Sequence, residues 1–238
     1  MRVLILIPCH NESESIGHLL DEIKDLHKHL DVLVINDGST DNSLDVIRQR
    51  AHVKVLNLPY NTGIGATVQT GFQWALKNDY DAVIRLDGDG QHPPADIPAH
   101  LKALEQDQAD MIIGSRFLKA HNIGYQSTLP RRLGIYYLRH LLKLLTGQRI
   151  FDPTSGFISC NRKVIRWFAE YYPYDYPEPE AIQRVKQCDG RILEIPTSMR
   201  KRLAGKSKIS TTDSFYYFIK VSLALIMFHG RKCHERDI

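Results

Sequence analysis

Three oxygen-bearing side chains follow an apolar run within residues 83–97, VIRLDGDGQHPPADI. Asp87 and Asp89 are separated by one glycine, and Gln91 continues the same spacing. An extended backbone would direct these side chains to one side, and carboxylate oxygens are preferred ligands of hard divalent cations. We therefore expect Mg²⁺ or Mn²⁺ to bind at Asp87, Asp89 and Gln91, with substrate phosphates completing the ligand set.

Two other interpretations of this stretch are a calcium-binding loop and a solvated Asp-Gly turn. A calcium loop of the EF-hand type needs glycine at its sixth position and glutamate at its twelfth, where this sequence has His92 and Pro98. The calcium loop is therefore excluded, whereas the turn remains open.

Acids and glycines also stand at other places where a phosphorylated ligand could bind. Asp37, in INDGSTDNS, follows an apolar run, where a carboxylate can accept hydrogen bonds from a ribose or a base. Glu12, in HNE, suits either this role or the first turn of a helix. Gly63 and Gly65, in NTGIGATV, lack the third glycine of a dinucleotide fingerprint, because Val68 stands there. This excludes a nicotinamide-dependent dehydrogenase.

The elements that must position these residues follow from alternating apolar and amphipathic patterns. Buried strands are predicted at Val3–Ile7, Val32–Ile35, Val53–Leu56, Ala82–Leu86 and Met111–Ile113. Helices are predicted at about 13–30, 41–50, 64–78 and 95–106. This order predicts an α/β fold with a doubly wound, mostly parallel sheet. Each polar motif falls at the carboxyl end of a strand, where such sheets bind ligands.

Composition excludes several classes of protein. The 238 residues, 43% of them hydrophobic, can bury the core of one α/β domain. A formal net charge of +4 is too small to indicate nucleic-acid binding. The four cysteines show no metal-binding spacing, and polar residues follow the apolar N-terminal run at once. We therefore expect a cytoplasmic protein rather than a secreted one.

Six motifs occur in an order that resembles glycosyltransferase family 2. They are IPCHNESESI, VINDGSTDNS, NTGIGATVQTGFQWA, LDGDGQHPPADI, GSR and DPTSGFISCNRKVI, within about residues 3–210. The sequence is most similar to the dolichol-phosphate mannose synthase branch and its small bacterial relatives. The resemblance implies a GT-A fold and an inverting, metal-dependent transfer of a sugar from a nucleotide-diphosphate donor.

The resemblance also implies roles for single residues. The nucleotide-sugar site is expected to contain Pro8, Glu12, Asp37, Gly65, Asp87 and Gly88. The metal and the diphosphate would be held by Asp87, Asp89 and Gln91, with Asp89 also counted as catalytic. Acceptor or phosphate binding is assigned to Arg116, Arg131, Arg202 and Lys206, for which a solvated surface charge is the alternative. Asn36 stands where relatives frequently have aspartate, which leaves the base of the nucleotide open.

The residue that activates the acceptor depends on the acceptor's chemistry. A lipid phosphate is already an anionic nucleophile, whereas a sugar hydroxyl must lose a proton to a general base. The candidate bases are Asp152 in DPTSGF and Glu178 or Glu180 in DYPEPE. Asp152 could instead cap a turn, and the DYPEPE acids could lie in a loop without a catalytic role. The favoured acceptor is a polyprenyl phosphate, and the alternative is a saccharide hydroxyl in cell-surface polysaccharide synthesis.

Later segments bear on membrane attachment. Residues 131–149 form a basic helical pattern with one apolar stripe, which suits either a membrane interface or the protein core. The stripe consists of Ile135, Leu138, Leu142 and Leu145. The uncharged run after Lys220 is too short to span a bilayer, and residues 211–238 are predicted to form an interfacial or partner-packing helix after a catalytic domain of residues 1–210. The basic segment 199–214 resembles the acceptor loop of the synthases.

We expect peripheral attachment at the cytoplasmic face of a membrane, through the lipid surface, a small membrane subunit or a second copy of the chain. Two alternatives from other classes are a sugar nucleotidyltransferase and a non-catalytic nucleotide-sugar-binding module. The first would show a glycine-rich, arginine-containing loop after the first strand, where this chain has PCHNE. The second leaves the metal triplet and the arginines unexplained.

Overall fold

The computed structural model describes residues 1–118, 129–200 and 211–230. Within these ranges the strands are β1 (Val3–Cys9), β2 (Asp31–Asp37), β3 (Val53–Leu58), β4 (Ala82–Arg85), β5 (Met111–Ser115), β6 (Ile158–Asn161) and β7 (Ile192–Pro196). The helices are α1 (Ile16–Leu26), α2 (Ser43–Arg48), α3 (Ile64–Lys77), α4 (Ile97–Glu105), α5 (Leu129–Thr146), α6 (Arg162–Glu170), α7 (Pro177–Gln187) and α8 (Thr211–Met227). A short 3₁₀ turn, Pro94–Asp96, precedes α4.

The strands form one sheet in the order β3-β2-β1-β4-β6-β5-β7. β1 pairs in parallel with β2 and β4, and β2 pairs in parallel with β3. β6 lies antiparallel between β4 and β5, whereas β7 is parallel to β5. The predicted doubly wound, mostly parallel sheet is therefore confirmed.

Helices cover both faces of this sheet, which is why its central strands are apolar on both sides. In β1, Val3, Ile5 and Ile7 pack into one core, and Leu4 and Leu6 pack into the other. The first core is closed by α1, α2 and α4, and the second by α3 and α5 to α8. Because helices cover both faces, the places open to a ligand are the ends of the strands.

The structure corrects one local expectation and decides between the two alternatives for the apolar stripe of α5. β4 ends at Arg85, and residues 88–89 form a turn in which Gly90 follows with a φ of 72°, so Asp87 and Asp89 do not share an extended strand. The apolar stripe of α5 faces the core, where Leu138 and Leu142 are fully buried, so this stripe is not available to a membrane.

The C-terminal helix α8 packs against α5 and α7. Val221 and Leu225 are buried in the same core as these helices. A Cβ at Gly134 would lie 1.7 Å from the Phe218 ring, so glycine at this position permits the close approach of α5 and α8. Of the helices in the described ranges, none combines the length and apolar character that a bilayer-crossing span requires. A domain boundary at residue 210 stays a prediction.

Candidate active site

A cavity of about 430 Å³ opens where β1, β2 and β4 end and α3 begins. It is lined by Pro8, Cys9, His10, Glu12, Asp37, Asn61, Gly63, Ile64, Thr67, Arg85, Asp87, Gly88 and Asp89. The cavity therefore brings together five of the six residues that the sequence predicts for a nucleotide sugar, and these five come from three separate motifs.

Asp37 holds one wall of the cavity in place. Its carboxylate accepts hydrogen bonds from the Thr62 backbone N–H at 2.6 Å, the Thr62 hydroxyl at 2.8 Å and the Gly63 N–H at 3.1 Å. The His10 ring Nδ1 lies 2.7 Å from the backbone oxygen of Asp37. These contacts fix the loop that leads into α3 relative to the ends of β1 and β2.

Hydrogen bonds connect the loop after β1 to the loop after β4 and to the start of α2. The Ser15 hydroxyl donates to the backbone oxygen of Gly88 at 2.9 Å, and the Glu12 N–H donates to the Ser43 hydroxyl at 2.8 Å. A Cβ at Gly88 would lie 3.2 Å from the Pro8 oxygen, so the two loops are already in close contact. Pro8, Glu12 and Gly88 thus lie side by side in the cavity wall.

The Asp87 carboxylate lies at the centre of the site. Its Oδ1 accepts a hydrogen bond from Arg85 Nη2 at 3.1 Å, and its backbone N–H donates to His92 Nδ1 at 3.3 Å. Burial acts to raise the pKa of Asp87, but opposing contributions, of which the charge of Arg85 is the largest, hold the pKa below its usual value. A Cβ at Gly156 would lie 2.4 Å from Asp87 Oδ2, so only glycine leaves room for this carboxylate.

Arg85 is a site residue that the sequence analysis missed. Its side chain is only 2% exposed, and it forms ion pairs with Asp87 at 3.1 Å and with Glu178 at 3.0 Å. Its Nη1 also donates to the Tyr172 hydroxyl at 3.2 Å. Burial acts to lower the pKa of Arg85, but the neighbouring acids raise it further above its usual value, so the guanidinium stays charged. The available signal was an arginine inside an otherwise apolar strand, because a buried charge needs a partner.

Asp89 faces the cavity, whereas Gln91 does not line it. Asp89 Oδ1 accepts a hydrogen bond from the Gln91 N–H at 3.0 Å, and Asp89 lines the cavity. The Gln91 amide instead donates to the backbone oxygen of Arg200 at 3.3 Å, and the Arg200 N–H donates back to Gln91 O at 2.9 Å. Gln91 thus anchors the start of the basic segment that the sequence assigns to the acceptor.

The donor set of this cavity fits a hard divalent cation. Within the described ranges, three or more His, Cys, Asp or Glu side chains do not gather into a ready-made metal site. Asp87 and Asp89 nevertheless present carboxylates in the cavity wall. Two carboxylates, with phosphate oxygens completing the coordination, are the usual protein contribution to a Mg²⁺ site.

The sign of the charge in the cavity supports the same interpretation. Four carboxylates and one guanidinium line it: Glu12, Asp37, Asp87, Asp89 and Arg85. Such a surface repels a free diphosphate, and a divalent cation would offset this repulsion.

Arg116 and Asp152 form a buried pair. Asp152 is fully buried, and its carboxylate accepts from the Arg116 backbone N–H at 2.9 Å, from Nε at 2.6 Å and from Nη2 at 2.5 Å. Arg116 also donates to Thr154 Oγ1 at 2.7 Å. Asp152 therefore does more than cap a turn, and both of its carboxylate oxygens are already bound to arginine.

Glu178 and Glu180 lie in the first turn of α7, so the interpretation of DYPEPE as a loop is wrong. Tyr176, with a φ of 50°, allows the chain to enter this helix. Glu178 turns to Arg85, whereas Glu180 lies with α8 beside an ion pair of Asp175 and Lys220. Burial, with a smaller contribution from Asp175, raises the pKa of Glu180 to about 7.

The remaining predicted residues lie elsewhere. Gly65 is buried against the chain at Pro173 and Tyr174 and donates its N–H to Tyr174 O at 3.0 Å, outside the cavity wall. The side chain of Arg131, and all of Arg202 and Lys206, lie outside the part of the chain that the structure describes. Their assigned roles stay predictions.

The chain is similar to known proteins over most of its length. The family described as glycosyl transferase family 2 matches residues 4–168. The undecaprenyl-phosphate mannosyltransferase of Micrococcus luteus is 31% identical over 221 residues, which are 88% of each chain. The polyprenol monophosphomannose synthase of Mycolicibacterium smegmatis is 26% identical over 233 residues, covering 93% of this chain and 86% of that protein.

A solved structure bears on the fold. Glucosyl-3-phosphoglycerate synthase from Mycobacterium tuberculosis, in complex with Mn²⁺, uridine diphosphate and phosphoglyceric acid, superposes with a TM-score of 0.71 at 16% identity. The match covers 98% of this chain and 80% of that one. This likeness confirms the GT-A fold that the sequence predicts.

Proposed function

The chain belongs to glycosyl transferase family 2 and is a glycosyltransferase, and on this premise we propose that it moves a sugar from a nucleoside-diphosphate sugar to a polyprenyl phosphate. The observation on which the donor assignment rests is the acid-lined cavity at the ends of β1, β2 and β4. The acceptor assignment is supported by the two relatives, whose names state a polyprenyl or undecaprenyl phosphate product or substrate.

The donor binds with its diphosphate toward Asp87 and Asp89 and its nucleoside toward Pro8, Glu12 and Asp37. Asp87 and Asp89 would hold Mg²⁺ or Mn²⁺, which stabilises the charge that develops on the leaving diphosphate when bound there. The solved structure with Mn²⁺ and uridine diphosphate supports this arrangement by its fold. The assay below identifies the sugar and the nucleotide base of the donor.

The state of the candidate bases favours an acceptor that is already an anion. Asp152 is bound to Arg116 and Glu178 to Arg85, while Glu180 lies against α8. A phosphate oxygen needs no base, because it attacks the anomeric carbon as an anion while the bond from that carbon to the diphosphate breaks. Attack opposite the leaving group inverts the configuration and yields a sugar linked to the lipid phosphate plus a nucleoside diphosphate.

The test measures release of nucleoside diphosphate from UDP-, GDP- and dTDP-sugars. Each donor is assayed with Mg²⁺ or Mn²⁺, with and without short-chain polyprenyl phosphate. Asp89→Ala is compared with Asp25→Ala, which removes an exposed acid of α1. We expect release that requires lipid phosphate and metal, is abolished by a chelator, falls at least a hundredfold in Asp89→Ala and is unchanged in Asp25→Ala.

Other results would change the assignment. Metal-dependent donor binding with release stimulated by saccharides instead of lipid phosphate would identify a sugar hydroxyl as the acceptor. Failure to bind any of the donors would contradict the proposed reaction altogether.

A further inference from the structure

A charged side chain lies in the middle of the sheet, where apolar residues are the rule. Arg85 is on β4, between β1 and β6, and is 2% exposed. The next inward-facing strand residue on the same side, Val83, belongs to the apolar core. Keeping a guanidinium here is costly unless carboxylates neutralise it.

Arg85 joins three parts of the chain that are distant in sequence. Its Nη2 contacts Asp87 at the end of β4 and Glu178 in the first turn of α7, at 3.1 and 3.0 Å. Its Nη1 reaches the hydroxyl of Tyr172, a fully enclosed residue that follows α6. The position of α7 is thereby linked to the carboxylate at the centre of the donor cavity.

The way in which Asp87 is held matters for donor binding. Arg85 occupies Oδ1, whereas the side chain of Asp87 as a whole remains 35% exposed on the cavity side. Oδ2 is bounded by Gly156, whose missing Cβ leaves it space. A carboxylate fixed by one oxygen presents the other in a defined direction, which is what coordination of a cation requires.

We propose that Arg85 and Glu178 are a positioning pair for the donor: Glu178 holds Arg85, and Arg85 orients Asp87 toward the metal–diphosphate. The inference rests on the proposed function, because it presumes that a metal–diphosphate binds in this cavity. It assigns Glu178 to donor affinity and not to proton transfer, and it adds Arg85, which no motif of the family resemblance includes.

The two roles of Glu178 predict different kinetics. A general base acts on the acceptor, so its loss lowers kcat by about 10²–10⁴-fold and leaves donor affinity alone. A positioning residue acts through Asp87, so its loss raises the KM for donor and metal while kcat at saturating donor changes little.

The experiment is calorimetric titration with Mn²⁺ and whichever of UDP, GDP or dTDP the wild-type protein binds most tightly, in the absence of acceptor. Glu178→Gln keeps the size of the side chain but removes its charge. Glu105→Gln, which changes an exposed glutamate at the end of α4 away from the cavity, is the control. We expect at least tenfold weaker binding for Glu178→Gln and less than twofold change for Glu105→Gln. In the nucleoside-diphosphate release assay, the kcat of Glu178→Gln at saturating donor should stay within about threefold of wild type.

Arg85→Lys provides a second variant in case Glu178→Gln does not fold, as judged by circular dichroism. Lysine keeps the charge but cannot bridge two carboxylates as a guanidinium does. Arg85→Lys should weaken donor binding as Glu178→Gln does. Where both single variants fold, the Arg85→Lys, Glu178→Gln double variant should bind the donor little more weakly than either, because both substitutions act through one contact.

Wild-type affinity in Glu178→Gln together with a hundredfold loss of kcat would overturn the positioning role and restore the general base. Additive losses in the double variant would also contradict it. If the wild-type protein binds no nucleoside diphosphate with Mn²⁺, the proposed function itself fails, and this result is distinct from the other two.

Discussion

Two buried arginines organise the acidic residues of this site. Arg85 binds Asp87 and Glu178, and Arg116 binds Asp152 through its backbone and its side chain. In the structure, each of these carboxylates is already paired with a guanidinium. Under the proposed function they support the site instead of acting as bases, and the cavity binds a cation and a diphosphate.

The pair of Asp152 and Arg116 should matter first for stability. Asp152→Asn leaves a buried guanidinium without its counter-charge, which costs about 3–5 kcal/mol in other proteins. Asp79→Asn, which breaks an exposed pair with Arg162, should cost less than about 1 kcal/mol. Urea unfolding measures both. Full stability of Asp152→Asn with loss of turnover would instead make Asp152 a catalytic residue.

Gly156 should be essential for the orientation of Asp87. A methyl group at this position overlaps Asp87 Oδ2, so Gly156→Ala should weaken Mn²⁺–nucleotide binding about tenfold, or about 1.4 kcal/mol. In an Asp87→Ala background the same change should have almost no further effect, because the overlapping oxygen is gone. Calorimetry measures Mn²⁺–nucleotide affinity for wild type, the two single variants and the double variant. Equal losses of affinity from Gly156→Ala in both backgrounds would contradict the steric explanation.

The sequence identified the acids of the cavity but not their partners. Asp37, Asp87 and Asp89 follow predicted strands, and parallel strands bring their ends together by topology alone. The sequence predicts Asp152 and Glu178 as candidate bases, but a carboxylate in a motif does not reveal the arginine that it meets in the fold. Only the tertiary contacts of β4 and of the segment after β5 supply that information.

At the scale of elements, five of the seven strands in the described ranges were predictable, whereas β6 and β7 were not. The first five strands have strong apolar runs separated by helical patterns, and the structure places strands at each of them. β6 has four residues and β7 contains Glu194, so neither gives a clear periodic signal. Glu194 has a partly buried carboxylate that accepts the backbone N–H groups of Phe151 and Asp152, a tertiary role that outweighs strand patterning.

The contact of α7 with α8 should be sensitive to pH. Glu180 has a pKa of about 7 in the folded protein, raised by burial and by Asp175, against 4.5 for an ordinary glutamate. Between these values the folded state binds a proton that the unfolded state has lost, so stability falls as pH rises from about 5 to about 7.

Glu180→Gln should remove this dependence and make the protein more stable than wild type at pH 8, by on the order of 1 kcal/mol after allowing for partial solvent screening. Thermal unfolding at pH 5, 6, 7 and 8 measures the slope. Glu14→Gln, which removes an exposed glutamate, serves as the control and should keep the wild-type slope. An unchanged slope in Glu180→Gln would show that Glu180 does not titrate in this range.

At the scale of the whole molecule, α5 and α8, in one of the two helical layers, expose a group of apolar side chains. Among the described side chains of α5 and α8, the exposed apolar ones are Leu133, Tyr136, Tyr137, Leu144, Ile219, Leu223, Ile226 and Met227. The sequence of α5 contains arginine, histidine and lysine but no acid. An apolar surface with cationic neighbours is typical of proteins that lie on anionic lipid, which is where a polyprenyl phosphate would be found.

Attachment to lipid should therefore depend on the exposed apolar side chains of α5 and α8 and on the attraction between the cationic residues of α5 and anionic lipid. Replacing both Leu144 and Leu223, which are 81% and 54% exposed, by glutamate should reduce sedimentation with phosphatidylglycerol vesicles at least tenfold, because it removes apolar contact and adds repulsion. Leu26→Glu, at a half-exposed leucine of α1 in the other helical layer, should sediment as wild type does. Phosphatidylcholine vesicles should bind all of these proteins more weakly, and added salt should weaken wild-type binding. Equal sedimentation of the double variant and wild type would exclude this face as the membrane contact and would favour a protein subunit or a second copy in its place.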